Sequence, residues 1–307
     1  MKNRMIGLPL LAVAGLVSGS PAEPTETSRG RVSTLAEIPG GTGGLVVDEQ
    51  GFIYSAEFGD LLGDAKTAGK RLFRISPDGE ATVFAKGFQG ASGVALGADG
   101  HLYQSNIRGG FVSRVAPDGT VTTFVKEGLR APVGVVVDAE GTLWVANCGG
   151  NSIQKVTADG ASSRFVQSPL LKCPNGITLD RRGNLYTANF NDGNVIKITP
   201  EGEMTVFTTL PGGNNGHLLF ADNALYVVAR ETHQIYRVSL DGEATLYAGN
   251  GEKGGADGPL LEASFCYPND IAVSPDGSRF YINEVADSTS DGKRLAPTRI
   301  RVIERKN

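Results

Sequence analysis

The stretch Ile177-Thr178-Leu179-Asp180-Arg181-Arg182-Gly183 decides the fold of this chain. A short strand runs into an Asp-x-x-Gly turn, where the acidic side chain and the glycine favour a tight reversal. A bulky pair, Leu185-Tyr186, opens a second strand; Lys197-Ile198 marks a third, and Pro200-Glu201-Gly202 turns the chain into a fourth. The same unit recurs along the chain. Leu45-Val46-Val47-Asp48-Glu49-Gln50-Gly51 and Val135-Val136-Val137-Asp138-Ala139-Glu140-Gly141 repeat its beginning. Ile53-Tyr54, Leu102-Tyr103, Leu143-Trp144, Leu225-Tyr226 and Phe280-Tyr281 repeat the bulky pair. Arg74-Ile75, Arg114-Val115, Lys155-Val156, Arg237-Val238 and Arg301-Val302 repeat the basic–aliphatic pair of the third strand.

Taking Gly44, Gly93, Gly134, Gly176, Gly216 and Asp270 as equivalent, the steps are 49, 41, 42, 40 and 54 residues. A period near 40–45 with four short strands is that of a propeller blade. An open sandwich has no reason to repeat its turn chemistry so regularly, so we expect an all-β, six-bladed propeller. The sixth unit stops after its third strand, at Ile300 to Ile303. Val32-Ser33-Thr34-Leu35 supplies the missing fourth strand, and pairing the two closes the ring and covers an exposed edge.

Outside the repeats, Lys2 and Arg4 precede an apolar run from Met5 to Val17, with small residues at Ser20 and Ala22. That pattern predicts a signal peptide over 1–22 and a secreted or periplasmic protein. The run, interrupted by Pro9, is too short for a membrane span. Residues 23–30 read as a polar, disordered lead-in and 31–307 as a single propeller domain, expected to be a monomer. The chain has 29 basic and 33 acidic residues. This mild acidity lacks the basic footprint that nucleic acid requires.

Propeller geometry sorts the loops. The Asp-x-x-Gly and Pro-Asp-Gly turns gather on the bottom face, while the insertions Gly59–Lys70, Ala248–Tyr267 and Ala286–Pro297 fall on top. Function belongs with the long loops. Cys148 and Cys173 both lie on top in adjacent blades, where a disulfide can form; the alternative is three free thiols, with Cys266 on a long loop.

These repeats resemble the NHL-type blade and the superfamily of SMP-30, gluconolactonases, paraoxonases and diisopropyl fluorophosphatase. The NHL likeness spans nearly the whole chain after the leader and is closest at Gly254-Gly255-Ala256-Asp257-Gly258-Pro259, Ala263-Ser264-Phe265 and Pro268 to Val273. The lactonase likeness rests on Pro174-Asn175-Gly176-Ile177 and Asn269-Asp270-Ile271. It implies a divalent cation, usually calcium, held by Asn, Asp and Glu at the centre of the top face. Residues just before the equivalent Gly or Asp are Gly43, Ser92, Val133, Asn175, Asn215 and Asn269. The implied ligands are therefore Asn175, Asn215, Asn269 and Asp270. The family's first-blade glutamate is replaced by Gly43-Gly44-Leu45, and its third-blade asparagine by Val133. A site with one carboxylate is expected to bind calcium weakly.

His217 follows Asn215 by two residues, on the same side of the strand. Its counterparts read as Leu45, Val94, Val135, Ile177 and Ile271, so it is either a core imidazole or a general base beside the site. His101 and His233 have weaker claims. Strand two ends on Glu57, Asn106, Asn147, Asn189, Ala229 and Glu284. The asparagines read as turn residues. Glu57 and Glu284 either stand at the site rim as substitute ligands or are solvated and paired with Lys70, Arg71, Lys293 or Arg294.

Two functions follow. One is a metal-dependent hydrolase of lactones or related esters, with His217 and Asp270 as its catalytic residues. The other is a non-catalytic NHL-type propeller whose top face binds a protein, glycan or small ligand.

Overall fold

A computed structural model of the chain describes residues 30–305. The expected leader and all but the last residue of the lead-in lie outside them. Within them the repeats fold as six four-stranded antiparallel blades, each a meander of consecutive strands. Blade one comprises Thr42–Val47, Ile53–Glu57, Arg71–Ile75 and Ala81–Lys86, and blades two to five begin at Ala91, Pro132, Pro174 and Asn215. Blade six runs Asp270–Val273, Arg279–Val285 and Thr298–Arg305. Its fourth strand is the N-terminal Gly30–Ile38, paired from Gly30↔Arg305 to Ile38↔Thr298. The ring is closed as expected, and Gly30 belongs to the closing strand rather than to the lead-in.

The repeating residues show why each blade forms. In the first turn, Asp48 Oδ1 accepts from the Gln50 and Phe52 N–H groups, and its Oδ2 accepts from the Tyr54 hydroxyl. Asp138 and Asp180 make the same turn and reach the Trp144 indole and the Tyr186 hydroxyl. The bulky residue of strand two then meets an aromatic of strand four edge-on: Tyr54–Phe84, Tyr103–Phe124, Trp144–Phe165, Tyr186–Phe207 and Tyr226–Tyr247, with centroids 4.9–5.1 Å apart. Pairs of this geometry are worth about 0.5–1.5 kcal/mol each beyond their burial. In blade six the closing strand offers Leu35 at this level instead, within the cluster that holds Tyr281 and Ile300.

Toward the axis the strands converge until side chains no longer fit. A Cβ on Gly134 would lie 2.3 Å from the Asn175 carbonyl oxygen, and one on Gly176 would lie 2.5 Å from the His217 Cα. These positions are glycine because the next blade's backbone occupies the space.

One insertion departs from its expected place. Ala248–Tyr267 does not stay on the top face: Gly258 and Pro259 pair with Val32 and Arg31, near the bottom end of the closing strand. The loop therefore descends the outer side of blade six and adds a fifth, two-residue strand there. The other two insertions meet across the seam between blades six and one, where Leu61 bridges Arg294. They form the high wall of the top face.

Deleting residues 1–38 removes the closing strand, leaves Val302 and Ile303 on an open edge, and should give aggregation or a large fall in melting temperature by scanning calorimetry. A truncated chain that remains monodisperse and melts like the full chain would contradict closure by this strand.

Candidate functional site

Register assigns the side chains at the mouth. Strand pairing sets Val46, Ala95, Val136, Thr178, Leu219 and Ala272 against the bulky residue of strand two in their blades. Counting back two residues gives the true equivalents: Gly44, Gly93, Gly134, Gly176, His217 and Asp270. Blade five is thus one residue out of step with the sequence alignment. The cause is its first turn, the two-residue hairpin Asp222-Asn223, with φ of 49° and 54°. Left-handed backbone at both positions is the tight hairpin geometry, and it replaces the longer Asp-x-x-Gly turn.

This shift corrects two sequence readings. Asn215 does not align with Asn175 and Asn269; Gly216 does. Nor is His217 the counterpart of the apolar Leu45 and Ile177. It takes the axial position that is glycine in four blades, and Asp270 takes the same position in the next blade. Adjacent blades therefore bring the two side chains together, His217 Nδ1 lying 3.2 Å from Asp270 Oδ2. Both residues are buried, at 6% and 5% exposure.

The carboxylate is fixed on every side. Asp270 Oδ2 also accepts from the Leu45 N–H of blade one at 2.7 Å, and Oδ1 accepts from the Ile271 N–H at 2.7 Å. A proton on Nδ1 would face this carboxylate and leave Nε2 as the basic nitrogen of the ring.

His217 stands in the wall of a cavity of about 490 Å³ on the top face. Asn175 and Asn269 share that wall, whereas Asn215 and Asp270 are not among the lining residues. Asn175 Nδ2 donates to the Asn215 carbonyl and Asn269 Nδ2 to the Gly43 carbonyl. Each asparagine stitches its blade to the next. The Asn215 amide is fully buried with neither atom hydrogen-bonded to protein.

These four residues do not fit a calcium cage. Calcium takes six to eight oxygens, with affinity set largely by carboxylates. Here the one carboxylate is turned to Leu45, Ile271 and His217, and the cavity receives only neutral amides. Among the described residues, no group of three or more His, Cys, Asp or Glu side chains is placed to hold a metal ion.

Glu57 and Glu284 lie away from the cavity lining. Each is buried and paired, not solvated. Burial works against the charge of Glu57, but Arg71 (Nη2–Oε1 2.6 Å) and the Lys70 and Arg71 N–H groups outweigh it and hold its carboxyl below the usual range. Glu284 is fully buried; burial pushes its pKa up against the opposing Arg301 guanidinium 2.7 Å away. Its Oε2 accepts from the Cys266 N–H. Asn106, Asn147 and Asn189 use Oδ1 in the same way, accepting from the N–H groups of Gln89, Arg130 and Lys172. The strand-two termini thus anchor the incoming loops, as read for the asparagines.

His233 is engaged elsewhere, its Nδ1 accepting from the Tyr267 N–H at 3.2 Å. His101 pairs with Asp99 away from the cavity. Cys148 and Cys173 form the disulfide, which lies in the cavity wall, and Cys266 is a buried free thiol pushed up to about 11 by burial.

The Virginiamycin B lyase family matches residues 59–211. No curated protein sequence matches the chain. Among solved structures, virginiamycin B lyase from Staphylococcus aureus is 16% identical with a TM-score of 0.62, covering 90% of this chain and 99% of that one. A gluconolactonase from Xanthomonas campestris is 14% identical with a TM-score of 0.69, covering 91% of each. A chain of a nidogen/laminin complex is 19% identical with a TM-score of 0.60, covering 80% of this chain and 97% of that one.

Glu57 gives this arrangement a pH signature. A depressed folded pKa stabilises the protein above the ordinary glutamate value near 4.5, and that stability is lost as the pH falls below it through the folded value. Glu57→Gln should therefore flatten the acid limb of a urea-melt stability profile while leaving its shape near neutrality unchanged. An unaltered acid limb would show that Glu57 is not held low. In fold this chain is a six-bladed β-propeller, similar to the gluconolactonase and virginiamycin B lyase structures.

Proposed function

We propose that the chain is an enzyme that opens lactones or related esters in its top-face cavity, with His217 as general base and Asp270 as the residue that orients it. The observation that carries this reading is the buried His217–Asp270 pair, whose histidine stands in the wall of a roomy, largely apolar cavity. Pairs of this kind orient the imidazole and stabilise its protonated form during proton transfer. The name of one similar protein, a gluconolactonase, supports opening of a lactone ring. The family name adds elimination to the possible chemistries.

An imidazole base serves either reaction. It can take a proton from water, whose oxygen then attacks the ester carbonyl while the alkoxide leaves and is protonated. It can instead take a proton from the carbon next to the alkoxy carbon, so that a C=C bond forms and the carboxylate leaves. We favour hydrolysis, because the cavity that His217 lines is open to solvent. No step runs through a metal, since the donor set does not form a cage for one. We also take the chain to be exported; its disulfide supports this, because such bonds persist in oxidising compartments.

The test is turnover of sugar and aromatic lactones in ¹⁸O-water, with and without EDTA. One ¹⁸O per opened ring and no loss of rate on chelation are expected. His217→Gln should lower kcat by about a hundredfold or more, and Asp270→Asn should lower it too. Ring opening without ¹⁸O would replace hydrolysis with elimination. Wild-type protein that opens no lactone would overturn the enzymatic reading, leaving the cavity as a binding site.

A further inference from the structure

The cavity wall contains a second unusual position. The residue following strand two is Phe58 in blade one, Ile107 in blade two, Cys148 in blade three and Phe190 in blade four, and all four line the cavity. In blade five the same position is Arg230, which also lines it. An otherwise apolar ring thus carries one guanidinium.

Arg230 is 3% exposed. It lies over the Tyr267 ring at 5.0 Å and donates to the carbonyls of Tyr267 (3.1 Å) and Gly292 (3.0 Å). It forms no ion pair with any carboxylate among the described residues. Its neighbour Glu231 is exposed and bonded to Asn214. A buried charge ordinarily comes with a counter-charge, because desolvating it alone costs several kcal/mol. The other buried arginine, Arg301, has two such partners in Glu284 and Asp257.

No Asp or Glu is among the lining residues, and Arg108 adds a second, exposed cation at the wall. The cavity is therefore cationic within a chain whose net charge is −4. Two guanidinium groups without an ion-pair partner favour an anion, and apolar walls favour one that carries a single charge, because each buried charge costs desolvation. The apolar remainder of the ring favours a hydrocarbon or aromatic body.

We propose that the cavity selects ligands carrying a carboxylate on an apolar body, with Arg230 as the fixed counter-charge and Arg108 assisting from the wall. This rests on the functional reading above only for the identity of the cavity, and names the substrate class for it.

Calorimetric titration of the full chain with 4-phenylbutyrate, 4-phenylbutyramide and benzylphosphonate tests it without any turnover. Wild type should bind the carboxylate at least tenfold more tightly than the amide and more tightly than the phosphonate. Arg230→Met should bring the carboxylate and amide to within about twofold. Arg230→Lys, which keeps the charge, should retain part of the preference. Arg108→Ala, on an exposed residue, should reduce it without changing the melting temperature. Equal binding of carboxylate and amide by wild type would overturn the proposal, as would tightest binding of the phosphonate or a preference that survives in a folded Arg230→Met protein. Carboxylate preference without any lactone opening sustains this inference and removes the enzymatic reading; opening of neutral lactones without carboxylate preference does the reverse.

Discussion

The Asp270 carboxylate, reaching from blade six to the Leu45 N–H of blade one, joins the two ends of the ring at its axis. Four blades approach one another there through glycine, with backbone against backbone. At the last seam a side chain fills the gap, and the same side chain orients His217 of blade five. Closure and the proposed chemistry thus share one group. The outer half of the seam is made by the N-terminal strand on Thr298–Arg305, and behind it Arg301 and Glu284 form a buried pair that also carries the descending loop through the carbonyls of Ser264 and Ala256. Removing one member of such a pair strands the other without water or partner, typically at a cost of about 3–5 kcal/mol. The last blade is therefore held by polar contacts as much as by packing.

Most of the fold was legible in the sequence because the unit repeats. Asp48, Asp138 and Asp180 announce the same turn, and Tyr54, Tyr103, Trp144, Tyr186 and Tyr226 the same packing site. The missing fourth strand of blade six could be counted and found at Val32–Leu35. What failed was register, which a single residue reverses. The short Asp222-Asn223 hairpin shifts blade five by one, and with it Asn215 and His217. A count back from Tyr226 across a two-residue turn would have found it. Blade six holds a second slip: Val302, not Arg301, pairs with Tyr281. Arg301 therefore points inward, while Arg74, Arg114, Lys155, Lys197 and Arg237 stand opposite their aromatic partners across the strand.

The acidic residues were harder to place. Glu57 has Arg71 fourteen residues away, within sight of a local reading. The partner of Glu284 is Arg301, which the alignment had set on the other face of its strand. Arg230 carried no signal at all until its position could be compared with Phe58, Ile107, Cys148 and Phe190. The disulfide was one of two readings the sequence left open, allowed because both cysteines lie at the top of neighbouring blades. A group whose meaning depends on what faces it across the axis needs the ring in three dimensions.

The resulting site has an ordered logic. Apolar residues and the disulfide give the cavity its body, two arginines give it a sign, and His217 gives it an imidazole. The asparagines at the mouth lock blade to blade through Nδ2. The central claim is that Asp270 fixes the Nδ1–H form of His217 and leaves Nε2 free toward the cavity. Nitrogen-15 NMR of histidine-labelled protein at neutral pH reads that tautomer directly. The account predicts a protonated Nδ1 and an unprotonated Nε2 for His217, lost or reversed in Asp270→Asn; a wild-type His217 protonated at Nε2 alone would contradict it.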